Sequence, residues 1–97
     1  MPDYIFLMHD DANDYDEASW EPYLRSLEEQ QSFKGGSAIG GGLCARKIGT
    51  PPSITVYLVG YIRVTAASFD QAKSLLIGNP HFEAGGTVEI RELPRSS

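Results

Sequence analysis

Cysteine is almost absent from this chain: one residue, Cys44, in 97. A single thiol excludes an intramolecular disulfide. A secreted domain this small is more often stapled by several, so a reducing, cytoplasmic setting is expected. Basic residues are scarce as well. Net charge is −5, and up to Phe33 nine Asp and Glu face a single base, Arg25. Nucleic-acid backbones need clustered Lys and Arg, and anionic membrane surfaces need the same, so neither partner is expected. Long hydrophobic runs are missing too. The opening "MPDYIFLMHDD" has no basic leader and an apolar run too short for a signal peptide, and no stretch approaches a membrane span.

What is present is enough for a core. Hydrophobic residues make up 41%, and the length fits one domain, residues 1–97, with 94–97 ("PRSS") as a loose tail. A chain this short buries its surface incompletely, and a second copy would bury more.

"YIFLM" (Tyr4 to Met8) predicts a short strand covered on both faces. Trp20, Tyr23, Leu24 and Leu27 then fall at i, i+3, i+4, i+7, one face of an amphipathic helix. Ser19 or Asp16 is its expected N-cap, with Ser19 preferred because Pro22 then lies in the first turn. The helix is expected to end near Gln31 or Ser32. Ser37 to Ile48 predicts a weak strand, where Gly40-Gly41-Gly42 suggests a bulge or a close backbone approach. "ITVYLVGYIRVTA" (Ile54 to Ala66) predicts a central strand with bulk on both faces. Ser68 and Gln71 form a capping box for a second helix. Phe69, Ala72, Leu75 and Leu76 are its buried stripe and Gly78 its terminator. "GTVEIREL" alternates as an edge strand.

The order β-α-β-β-α-β is the split βαβ, or ferredoxin-like, unit: an α+β fold with a four-stranded antiparallel sheet in the order 4-1-3-2. Helices cover one sheet face. The other carries apolar groups and needs a lid, most simply a second copy, giving a homodimer. The topology also brings His9, Asp10, Asp11, Trp20, Tyr23 and the corner "NPHFE" to one end.

There, His81 is the candidate acid–base group with Asp10 as its carboxylate partner. A histidine suits proton transfer at neutral pH, and a carboxylate fixes its tautomer. The competing structural reading makes His81 a cap on the second helix. His9, Trp20, Tyr23 and Phe82 are candidate ligand-binding residues for a small apolar or aromatic molecule, although His9 also reads as a solvated strand end. "GGSAIGGG" lacks the Lys-Ser/Thr and the following helix of a phosphate loop. No ligand spacing points to a metal, no cofactor is indicated, and Cys44 reads as an inert small hydrophobe.

The segments "YIFLMH", "F-x-GGSAIG" and above all "GYIRVTAASFDQAKSLLIGNPHFEAGGTVEIREL" (Gly60 to Leu93) resemble the YCII-related family in its DGPF-type branch, over nearly the whole chain. The resemblance implies a dimeric α+β barrel of two ferredoxin-like units. It also implies small-molecule chemistry with a His–Asp pair, among related barrels that include lyases, isomerases and monooxygenases. The "PH" histidine corresponds to His81. The Asp-Gly-Pro-Phe segment itself is absent; "LCARKIGTPPSIT" stands in its place and would give any pocket a different wall. A non-catalytic binding or sensing module, or a structural dimeric accessory protein, remain alternative readings.

Overall fold

A computed structural model describes residues 1–95; of the expected loose tail, residues 96–97 lie outside the described residues. Strand β1 (Asp3–His9) leads through a 3-10 turn (Glu17–Ser19) into helix α1 (Trp20–Glu29). Strands β2 (Phe33–Ala38) and β3 (Leu58–Thr65) follow, then helices α2 (Phe69–Ser74) and α3 (Pro80–Glu83), and strand β4 (Val88–Leu93). The sheet is antiparallel in the order β2-β3-β1-β4. This is the α+β, ferredoxin-like arrangement expected from the sequence, with one short extra helix.

The sheet's two faces follow from its register. Met8 pairs with Gly60 and Val88, and Phe6 with Ile62 and Ile90. Directly opposed residues share a face, so Tyr4, Phe6, Met8, Ile62 and Val64 face the helices. They are buried there with Tyr23 and Leu27 of α1 and with Ala72, Leu75 and Leu76 on the α2 side. On the opposite face, Ile5, Leu7, Val59 and Tyr61 are half-buried.

Helix α2 is capped as its sequence implies. The Ser68 hydroxyl accepts from the Gln71 backbone at 3.1 Å, and the Gln71 side chain reaches back to accept from the Ala67 N–H. Gly78, at φ +88°, closes the following turn, a conformation that costs a side-chain-bearing residue energy. Ser68→Ala is expected to cost about 1 kcal/mol in urea or thermal unfolding; an unchanged midpoint would show that the cap carries no stability.

Several expectations are corrected. The second strand is Phe33–Ala38, earlier than Ser37–Ile48, and β3 begins at Leu58 rather than Ile54. Residues 39–57 form a long irregular arm instead. The close approach falls not on Gly40 to Gly42, which have open space around them, but on Gly36, where a Cβ would sit 2.6 Å from the Tyr61 carbonyl oxygen. A bulge between Phe33 and Gly36 accompanies it. Ser19 makes no side-chain cap; Asp16 does, for the 3-10 turn, accepting from Ala18 N–H. Helix α1 ends at Glu29, with Gln31 in the left-handed region at φ 59°. Phe69 is 51% exposed rather than part of the buried stripe, although its ring meets Tyr4 edge-on at 4.8 Å.

Candidate functional site

Helix α3 places His81. Asn79 caps it, accepting from Phe82 N–H at 2.9 Å, and Pro80 occupies its first turn, where no amide donor is required. This single turn aims His81 inward, so it is neither a surface group nor a cap on α2. The residue is 2% exposed, and its Nε2 has no hydrogen-bond partner. Asp11 Oδ1 lies 3.7 Å from that nitrogen, beyond hydrogen-bonding range. The space for the ring exists because residue 86 is glycine: a Cβ there would stand 2.4 Å from His81 Nε2 and 2.8 Å from the Ala12 Cβ.

Asp11 is fixed by β4's entry. Its two carboxylate oxygens accept from the Thr87 N–H at 2.7 Å and the Thr87 hydroxyl at 2.6 Å. These bonds, foremost the hydroxyl's, hold the Asp11 carboxyl below its ordinary value of 3.8, and the charges of His81 and His9 act in the same direction. A carboxylate with a lowered folded-state pKa stabilises the fold above its unfolded value. That contribution is lost as pH falls through the lowered one. Asp11→Asn should therefore flatten the loss of stability as pH falls through and below the ordinary carboxylate value of 3.8. Parallel acid-unfolding curves for variant and wild type would contradict the Asp11–Thr87 clasp.

An aromatic chain leads away from His81. Tyr15 meets it at 6.4 Å between centroids and 83° between planes; Tyr15 meets Trp20 at 6.3 Å, and Trp20 meets Tyr23 at 6.0 Å. Tyr15 and Trp20 are also walls of a cavity of about 480 Å³ between α1 and the β2–β3 side of the sheet. Its other apolar walls include Met8, Leu24, Phe33, Val59, Tyr61 and Ile62; Gly36, Ala38 and Gly60 also line it. The cavity has a direct cause. Ala38 pairs with Gly60, and Gly36 with Ile62, so the helix-facing side of this corner carries almost no side chains. Trp20 and Leu24 project over the gap and remain half-buried, while Tyr23 and Leu27 of the same helical stripe are sealed. Glu17 is the lining carboxylate, and no Lys or Arg lines the space.

The sequence candidates separate on this frame. Trp20 lines the cavity. Tyr23 is buried and donates its hydroxyl to the Leu75 carbonyl at 2.8 Å, a tether between α1 and α2; burial pushes that hydroxyl up to about 12. His9 stands next to the Asp11–Thr87 clasp through its backbone, but its ring turns to another partner, Nε2 lying 3.0 Å from Glu89 Oε1, with Arg91 bonded to the same carboxylate's other oxygen. Phe82 is 41% exposed and does not line the cavity. Asp10 is exposed and contributes its backbone N–H to the Tyr57 carbonyl; the carboxylate beside His81 is that of Asp11. Tyr15, Glu17, Thr87 and Gly86 complete the arrangement and were not singled out by sequence. The Gly85-Gly86-Thr87 run next to the histidine was the available signal.

Among the described residues, no cluster of three or more His, Cys, Asp or Glu is placed to hold a metal ion. No helix among them is long and apolar enough to cross a membrane.

No family model matches the chain, and no curated protein does. Among solved structures it is similar to 5-chloro-2-hydroxyhydroquinone dehydrochlorinase (TftG) from Burkholderia phenoliruptrix AC1100, in complex with 2,5-dihydroxybenzoquinone. The TM-score is 0.57 at 14% identity, covering 97% of this chain and 95% of that one. The likeness is one of fold.

Proposed function

We propose that residues 1–97 form a YCII-like small-molecule protein of the DGPF-type branch, acting as a cytoplasmic homodimer. Its ligand is a compact, planar, largely apolar ring held beneath Trp20. The observation that carries this reading is the cavity itself. Its volume lies within the range of small-molecule sites, its walls are aromatic and aliphatic, and its polar groups are few. Glu17 without a neighbouring base disfavours a phosphorylated or carboxylated ligand and suits one that donates hydrogen bonds, such as a phenol or hydroquinone. The dihydroxybenzoquinone named with the structural neighbour is likewise a compact, planar, hydroxylated ring.

In this reading His81 is the proton-transfer group of a lyase- or isomerase-like reaction, with Asp11 as its neighbouring carboxylate, 3.7 Å from Nε2. Tyr15 stands between the imidazole and the cavity, so contact with a ligand requires the Tyr15 ring to turn aside. A second reading, a binding or sensing module without chemistry, is favoured by one observation: His81 is 2% exposed and does not line the cavity.

His81→Asn separates the two. Candidate hydroxylated aromatics are incubated with wild type and variant, and both conversion and affinity are measured. Conversion by wild type that the variant loses at similar affinity supports chemistry. Binding without conversion in either protein supports the sensing reading, and no binding by wild type overturns both.

A further inference from the structure

The arm between β2 and β3, residues 39–57, is ill-suited to remain where it stands. Leu43 is 83% exposed, Ile48 81% and Tyr57 68%. Arg46 and Lys47 are its charged residues, with no acid among its 19 positions. Among the described residues neither base pairs with a carboxylate; Arg46 bonds only the Thr50 carbonyl of the arm itself, at 3.2 Å. The backbone ties the arm at its ends, Ile39 N–H to the Val59 carbonyl and Asp10 N–H to the Tyr57 carbonyl, both at 2.9 Å.

The body offers the complementary surface beside the cavity mouth. Residues 10–21 contain Asp10, Asp11, Asp14, Asp16, Glu17 and Glu21 and no Lys or Arg. This segment also carries Tyr15 and Trp20, the cavity's aromatic walls. A basic, apolar arm and this acidic segment, which supplies Tyr15, Glu17 and Trp20 to the cavity wall, match in both charge and hydropathy.

The molecule's dimensions argue that a second copy brings them together. Its accessible surface is 6651 Å², against about 5,500 Å² for a compact monomer of this mass. The excess, roughly 1,150 Å² by that relation, exceeds the about 800 Å² each partner contributes to a stable interface. The radius of gyration is 14.9 Å, against about 12.5 Å for a compact chain of this length. The least extent is only 19 Å, the depth of one sheet and its helix layer.

We infer that the arm of one copy packs across the cavity mouth of a second copy, setting Leu43 and Ile48 over the opening and Arg46 and Lys47 against the acidic segment 10–21. The ligand site is then completed in trans. The inference rests on the homodimer of the proposed function but not on any ligand.

The chain's single cysteine and single tryptophan supply the test. Cys44, on the arm, takes a nitroxide label in one unenriched sample; a Cys44→Ser chain, 15N-enriched, supplies the Trp20 indole N–H signal; the two are mixed and allowed to exchange. The expected result is broadening of the Trp20 signal across chains, weakened when the labelled chain also carries Arg46→Glu and Lys47→Glu. Broadening only when label and tryptophan share a chain would make the arm a cover for its own cavity and overturn the inference. A dimer by sedimentation with no broadening would overturn it while leaving the homodimer standing. A monomer would overturn both. Failure of every aromatic probe to bind would count against the ligand reading alone, since the broadening needs no ligand.

Discussion

Gly86→Ala is expected to destabilise the protein by about 3 kcal/mol, at the upper end of the cost of overpacking a filled interior. The added methyl would stand 2.4 Å from His81 Nε2, 2.5 Å from its Cδ2 and 2.8 Å from the Ala12 Cβ, all below any tolerated contact. The imidazole is not a flexible chain end that can step aside: it is 2% exposed and Tyr15 abuts it. The backbone between α3 and β4 is also held, because Gly86 N–H donates to the His81 carbonyl at 3.0 Å. Urea unfolding of the variant measures the loss. His81→Ala in the same background should recover part of it, because the clashing ring is gone. A Gly86→Ala variant as stable as wild type would mean that the histidine is not packed as described.

The second large effect concerns the cavity. Ala38→Phe places a ring in the gap opposite Gly60, on the helix-facing side of an edge strand. Affinity for an aromatic ligand should fall about a hundredfold, or about 2.8 kcal/mol. Stability should change little, because the new ring fills space that is empty and displaces no core residue. Calorimetric titration of wild type and variant, with unfolding midpoints as control, checks both statements. Equal affinities would place the ligand elsewhere.

The fold was legible because its strongest signals are local. The apolar run of β1, the stripe of α1 and the Ser68–Gln71 box each specify an element by themselves. The sheet order follows once strands one and three are seen to be apolar on both faces. Strand β2 was misplaced because "FKGGSA" has no alternation: it is a strand through its pairing with β3, a tertiary fact. "ITVY" has strong strand propensity, yet β1 spans only Asp3–His9 and past it only the Asp10 N–H reaches this stretch, at the Tyr57 carbonyl, so these residues join the arm. Helix α3 is one turn long, too short for periodicity to register.

The site was half legible for a related reason. Topology was sufficient to gather the histidines and acids at one end. It could not choose between Asp10 and Asp11, because the register shift at Met8/His9 alters which of them turns toward His81. Nor could it separate His9, which lies 3.0 Å from Glu89, from the His81 cluster. The cavity was invisible because it is made by what Gly36, Ala38 and Gly60 lack, and only the register shows that these positions meet on one face.

One titration tests the central claim, that the space beneath Trp20 is a ligand site. The Trp20 indole N–H gives a single resonance, there being one tryptophan in the chain, and it can be followed while 2,5-dihydroxybenzoquinone, a hydroxyhydroquinone and a catechol are added in turn. A saturable shift with at least one of them, absent in Ala38→Phe, is the expected result. A resonance unmoved by all three up to millimolar concentration would contradict the account.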